Sequence, residues 1–174
     1  TTDIAILSLN DIVTSDSVRI AGNVFDQDII KYIREKYKLL IGEQTAEEIK
    51  IEFANIFNPD KKHKLEVRGR DLVTGLPSTI EITEEETEEA LRESITKIIK
   101  AVTAVLEQTP PELSADIVEK GIILTGGGSM LNGLVPLLKE KLKVPVFIAD
   151  SPLTCVVEGT GVLLDNIKLL ENES

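Results

Sequence analysis

Aromatic residues are nearly absent from this sequence: Phe, Tyr and Trp together make up 3% of its 174 residues, and Trp does not occur. Any core built from it has to be aliphatic. Cysteine occurs once, at Cys155, so no intrachain disulfide can form, which is compatible with a reducing cytoplasm. Histidine also occurs once, at His63 in a Lys-rich loop, and that leaves a Ser/His/Asp triad or a His-based zinc site almost nothing to draw on. No apolar run approaches the ~20 residues of a membrane-spanning helix. The first residues lack the basic and apolar regions of a signal peptide, so any membrane contact is expected to be peripheral. Positive charge is in deficit, with 19 Lys and Arg against 30 Asp and Glu and a formal net charge of -11. This argues against nucleic acid as a partner, because phosphate neutralisation by Lys and Arg supplies most of the affinity of such binders.

What is present has the balance of a folded domain, 42% hydrophobic and 28% charged. A chain of this length can bury roughly two thirds of its unfolded surface. A strand pattern starts almost at once, from Ile4 to Leu9, with no initiator Met before it, and predicts that the sequence starts inside a domain. Asn10-Asp11 then predicts a tight turn into a second strand, Ile12 to Ile20. Ile29, Ile30, Ile33 and Tyr37 recur at helical spacing and predict a helix from Asp26 to about Tyr37. Thr45-Ala-Glu-Glu48 has the form of a capping box and predicts a helix starting there, with Ile49, Phe53, Ile56 and Phe57 facing inward until Asn58-Pro59-Asp60 stops it. Short strands near Leu65 to Arg68 and Ser78 to Ile82 follow the charged loop Lys61 to Lys64.

Thr83-Glu-Glu-Glu86 is a second capping box, opening an amphipathic helix of roughly two dozen residues that runs to Pro110-Pro111. Ile122 to Thr125 predicts a buried strand. A Gly triplet and a Leu-rich helix follow, with Pro136 in the first turn of that helix. Val144 to Ala149 predicts another strand, and Ser151-Pro152 predicts a final helix running to about Leu170. Strands alternating with helices in the second half, an antiparallel pair at the start and a smaller α+β insertion between them indicate a mixed sheet with an inserted subdomain. The chain has no internal repeat and no linker.

Thr125-Gly126-Gly127-Gly128-Ser129 lies between a strand and a helix, where glycine lets the backbone approach a ligand and expose amides near a helix N-terminus. A bare Gly triplet fits an ordinary strand-turn-helix corner equally well, since it is neither a Walker loop nor a dinucleotide fingerprint. Glu47 and Lys50, three apart on the outward face of the second helix, can meet each other or jointly grip a polar ring such as a ribose; a solvated face is the plain alternative. Thr1-Thr2-Asp3 offers hydroxyls and a carboxylate to a phosphate, or is a frayed terminus. The acidic stretch Glu81 to Glu93 offsets a helix dipole and is not expected to bind metal. Cys155 reads as a small core residue rather than a nucleophile.

Seven stretches together resemble the MreB/Mbl family of bacterial actin-like proteins: Thr1-Thr-Asp3, Arg19-Ile-Ala-Gly-Asn-Val-Phe-Asp26, Ile41-Gly-Glu-Gln-Thr-Ala-Glu-Glu-Ile-Lys-Ile-Glu52, Val67-Arg-Gly-Arg-Asp-Leu-Val-Thr-Gly-Leu-Pro77, Gln108-Thr-Pro-Pro-Glu-Leu113, Gly121-Ile-Ile-Leu-Thr-Gly-Gly-Gly128 and Asp150-Ser-Pro-Leu-Thr-Cys155. The likeness covers nearly the whole chain, and Val67 to Pro77 is its most specific part. Leu9-Asn-Asp11 departs from the glycine-rich turn often found there.

The resemblance implies an α/β fold: a ribonuclease H-like, actin-like ATPase lobe, a mixed sheet flanked by helices. Its core subdomain would be residues 1–23 and 84–174, with a small α+β subdomain inserted at 24–83. It further implies that the chain is the second of two lobes around an ATP cleft, entering in the middle of a phosphate loop. Thr1 and Thr2 would finish that loop, Glu47, Glu48, Ile49 and Lys50 would meet the ribose and base, and Gly126, Gly127, Gly128, Ser129 and Met130 would form the adenosine and phosphate shelf. The implied ligand is ATP or ADP with Mg2+ held mainly through the phosphates. The first lobe would supply the group that orients the attacking water, so hydrolysis is expected of the full-length protein and not of this chain. Other copies of the protein, the first lobe and cell-shape or wall-synthesis membrane proteins are the implied partners, at the cytoplasmic face of the cell membrane. A catalytically silent scaffold on the same fold is the alternative.

Overall fold

The computed structural model describes residues 1–165. The chain first reverses at Leu9 and Asn10, both left-handed at φ 53° and 69°, and this joins strand β1 (Thr2–Ser8) to β2 (Asp11–Val18) as an antiparallel hairpin. The turn falls one residue earlier than Asn10-Asp11, because Asp11 already pairs with Ser8. Two positive φ angles match the strand twist, and Leu9 tolerates its unfavourable conformation fully exposed at the tip.

Helix α1 (Gly22–Tyr37) begins four residues before the expected Asp26, because the Ala21 carbonyl accepts the Val24 and Phe25 amides. Phe25, Asp26, Ile29 and Ile33 form its buried face. After the two-residue strand β3 (Leu39–Leu40), α2 (Glu43–Glu52) is capped by the backbone of Gly42, with no side-chain cap. The expected capping box at Thr45-Glu48 does not form, since Thr45 lies inside the helix. Nor does the helix reach Asn58. It ends at Phe53, and Ile56 turns away to donate its amide to the Asn132 carbonyl at 3.1 Å. Ile49, Phe53 and Ile56 are nevertheless buried, as their pattern predicts.

Strands β4 (Lys64–Asp71) and β5 (Pro77–Thr83) run longer than expected and pair antiparallel, with β3 on the other edge of β4. Helix α3 (Glu84–Glu107) carries the capping box that the sequence announces: the Glu86 amide donates to the Thr83 hydroxyl, and the Thr83 amide donates to the Glu86 carboxylate. Its twenty-four residues bury Leu91, Ser94, Ile95, Ile98, Ala101 and Val105 along one stripe. Helix α4 (Pro111–Lys120) is absent from the sequence reading. It starts with Pro at its first position and carries only a short apolar stripe, Leu113, Ile117 and Val118, none of which is buried.

Strand β6 (Ile122–Leu124) pairs in parallel with β7 (Val146–Ile148), across the short 3-10 turn Gly127–Met130 and helix α5 (Leu134–Leu142). Pro136 sits in the first turn of α5, as expected. Ile123 corrects the reading of β6 as a buried strand: it is 72% exposed. Helix α6 (Cys155–Asp165) starts four residues after Ser151. The Pro152 carbonyl is taken by the Gly126 amide and the Thr125 hydroxyl, so residues 151–154 form a turn instead of a first helical turn. The expected continuation to Leu170 lies outside the described residues.

The strands thus form three small sheets, two antiparallel and one parallel, rather than one hydrogen-bonded sheet among the described residues. One core joins them, running from α1, α2 and β4–β5 through Leu91, Ile95 and Ile98 to Leu131, Leu134, Leu138 and Val146. Along the α1–α3 seam, Glu86 accepts the Tyr37 hydroxyl at 2.5 Å and meets Lys36 at 2.8 Å, while Tyr32 donates to Glu89 at 2.6 Å. Burial, helped by the neighbouring carboxylates, pushes both tyrosines up to about 12. No helix among the described residues is long and apolar enough to cross a membrane.

Candidate functional site

The N-terminus of α1 faces an open depression of about 340 Å³ lined by Thr1, Arg19, Ala21, Gly22, Asn23 and Val24. Thr2 fastens the start of β1 to this corner by donating its hydroxyl to the Ile20 carbonyl at 2.7 Å. Asp3 turns instead to Ser17, whose hydroxyl donates to it at 2.6 Å, and to Thr1 at 3.3 Å. The first turn of α1 contains no acidic residue and no side chain caps it, so its amide dipoles point unopposed toward the depression. Arg19 is exposed there and forms no ion pair among the described residues. Unopposed amide dipoles and a free guanidinium suit an anion, phosphate above all.

Lys50 reaches the same corner from α2. Its ammonium lies 2.8 Å from Asp26 Oδ1 and 3.3 Å from the Gly22 carbonyl, with the Lys50 side chain 14% exposed. The sequence pairing of Lys50 with Glu47 is therefore replaced by a pair with Asp26, because the lysine folds inward between α1 and α2. Glu47 stays exposed, and its carboxylate has no partner among the described residues. Glu48 is also exposed and accepts from Gln44 at 3.2 Å, whereas Ile49 is 2% exposed, a core residue that could offer a ligand little but backbone.

The glycine run makes a second platform. Gly126 sits at φ 83° and donates its amide to Pro152 at 2.6 Å, which sets the direction of the turn. Ser129 is buried and donates its hydroxyl to the Gly126 carbonyl at 2.6 Å, so this side chain locks the loop from within. Gly127, Gly128 and Met130 lie on the exposed side, and nothing stands within 4 Å of where a Gly128 side chain would begin. Thr125 and Cys155 touch through their side chains beneath this loop. The platform is bolted to the exit of α2 by the Ile56–Asn132 hydrogen bond and by Gly133. At φ 88°, Gly133 packs so closely that a Cβ there would come within 2.6 Å of the Phe57 nitrogen.

The structure thus gathers Thr1 and Lys50 around the start of α1, leaves Glu47 and Glu48 on the outer face of α2, and ties Gly126 to Met130 to the segment leaving α2. No hydrogen bond or ion pair joins the glycine platform directly to Glu47 or Lys50 among the described residues. Arg19 and Asp26 are the residues the sequence reading left without a role. Both lie in the Arg19 to Asp26 motif, but Asp26 meets its partner across 24 positions, and no local spacing reveals that.

The comparisons agree with this architecture. The Mbl cell shape-determining protein of Bacillus subtilis is 58% identical over 171 residues, covering 98% of this chain and 51% of the relative. The MreB cell shape-determining protein of Escherichia coli is 48% identical over 169 residues, covering 97% and 49%. The crystal structure of MreB5 of Spiroplasma citri bound to AMPPNP superposes with a TM-score of 0.89 at 39% identity, over 99% of this chain and 52% of that one, and a second structure of MreB5 holds ADP. This chain therefore spans about half the length of the relatives it matches, and its fold is that of an actin-like lobe. The MreB/Mbl protein family model matches residues 1–172, and the chain belongs to that family.

Proposed function

We propose that this chain supplies one half of an ATP- or ADP-binding cleft in a filament-forming protein that determines cell shape. The observation that carries the reading is the convergence of Thr1, Arg19 and the start of α1 on one depression, with the Lys50 ammonium hydrogen-bonded to the Gly22 carbonyl of its wall. Its volume of about 340 Å³ is within the range of small-molecule sites, roughly 300 to 1,000 Å³. Phosphates would meet Thr1, Thr2 and the α1 dipole, the ribose and base would meet Lys50, Glu47 and the Glu48–Ile49 backbone, and Gly126 to Met130 would close the adenosine side. Mg2+ arriving with ATP would be held mainly through the phosphates and water. Hydrolysis would need the other half of the protein, since phosphoryl transfer depends on groups positioned from both sides.

Calorimetric titration of the full-length protein with AMPPNP tests this. Binding weakened roughly tenfold by Lys50→Met is the expected result, a loss of about 1.4 kcal/mol. Absence of binding by the unaltered protein would favour a catalytically silent scaffold. The loop before β4 would meet the next subunit, acting from the cytoplasm at the inner face of the membrane. There Lys61 pairs with Glu85 and Lys64 with Glu81, while Lys62 is exposed. Reversing all three charges should disrupt filaments seen by electron microscopy, and unchanged filaments would sink that contact.

A further inference from the structure

We propose that Asp26 is a positioning residue for Lys50, and that nucleotide affinity depends on Asp26 although it is not itself a ligand contact. This rests on the nucleotide reading and adds a residue to it. Asp26 is 9% exposed, on the buried face of α1, and its Oδ1 atom is enclosed without a hydrogen bond; the Lys50 ammonium 2.8 Å away is its counter-charge. A buried carboxylate in this state holds its lysine firmly, since letting the ammonium go would leave a charge alone in the interior.

Lysine otherwise has a long flexible stem and no preferred bearing. Here the Asp26 carboxylate draws the ammonium in by charge on one side and the Gly22 carbonyl accepts from it at 3.3 Å on the other, which fixes its position and leaves donors for a ligand. The Gly22 backbone that completes this grip is also a wall of the depression. An added Cβ at Gly22 would sit 3.4 Å from the ammonium, so the lysine tip lies directly behind that wall. Asp26 thereby fixes where a positive charge stands relative to the nucleoside end of a ligand whose phosphates lie at the start of α1.

The test uses the full-length protein, titrated separately with ATP and with inorganic tripolyphosphate, which has no ribose or base. Asp26→Asn should weaken ATP roughly tenfold and leave tripolyphosphate within about twofold, because the lysine would serve the nucleoside end. The double variant Asp26→Asn with Lys50→Met should bind ATP no more weakly than Lys50→Met alone, since Asp26 acts only through the lysine. Unchanged ATP binding by Asp26→Asn, an equal loss for both ligands, or additive losses in the double variant would each overturn the proposal. If Asp26→Asn does not fold, Asp26→Glu keeps the charge and shifts it by one methylene. The same selective loss is expected there, and unaltered ATP affinity would be equally fatal. An unaltered protein that binds no ATP would overturn the nucleotide reading itself, a result distinct from loss of the Asp26 effect alone.

Discussion

The segment from α1 to α3 and the segment from β6 to α6 are built from similar aliphatic residues but bury them differently. In the first, Ile29, Ile33, Leu39, Ile82 and Leu91 are almost wholly enclosed, because two helices, a three-stranded sheet and the long α3 present their apolar faces to one another. In the second, a two-stranded parallel sheet leaves Ile123 at 72% and Phe147 at 52% exposure, and α6 leaves Val157 at 73%. Parallel strands are ordinarily covered on both faces. Burial therefore follows from how many faces meet at a residue, not from how apolar its segment is. The depression at the start of α1 adjoins the closed segment, whereas the exposed glycine loop belongs to the open one.

Leu91→Ala should be the largest way to break this contrast. At 0% exposure the truncation opens a cavity in the closed segment, with an expected loss of about 3 kcal/mol and a drop in Tm on the order of 10 °C by calorimetry. A loss below about 1 kcal/mol would mean that the core is looser than its packing indicates.

Glu86→Gln comes next and probes the α1–α3 seam. Burial alone would raise the Glu86 carboxyl, but the hydrogen bonds from Lys36, Tyr37 and the Thr83 amide outweigh it and hold the group below the usual glutamate range. Its stabilising contribution is thus complete above the unfolded value of roughly 4.3 and is lost as pH falls through the lower folded value. Urea unfolding should show the substitution costing about 2 kcal/mol at neutral pH, with the difference from the unaltered chain shrinking on acidification. A difference that grows in acid would refute the assignment.

Ile123→Ser should have the smallest effect, within about 0.5 kcal/mol in the same chain, since it removes little buried surface. A loss above about 1.5 kcal/mol would show that the open face is covered in solution, and the contrast between the two segments would disappear.

Several features with a local cause were legible in the sequence, although not all. The Thr83 box, the length of α3 and the place of Pro136 depend on residues within one or two turns, and all were legible. The Thr45 box failed because a competing backbone cap at Gly42 was available three residues upstream of it. Helix α4 has an apolar stripe of only Leu113, Ile117 and Val118, too short to mark a helix by itself, and the start of α6 was displaced by a hydrogen bond from Gly126, distant in sequence.

The sequence by itself determined the aliphatic core, the helical stripes of α1 and α3, the glycine loop after β6 and, through its motifs, the MreB/Mbl family. The tertiary structure alone decided that Lys50 turns to Asp26 rather than Glu47, that Arg19 stands beside Thr1, and that Ser129 and Gly133 lock the glycine loop from inside. The division has one physical reason. Periodicity and caps are fixed by neighbours along the chain, whereas the partner of a buried charge is whichever group the packing of separate helices brings within about 3 Å.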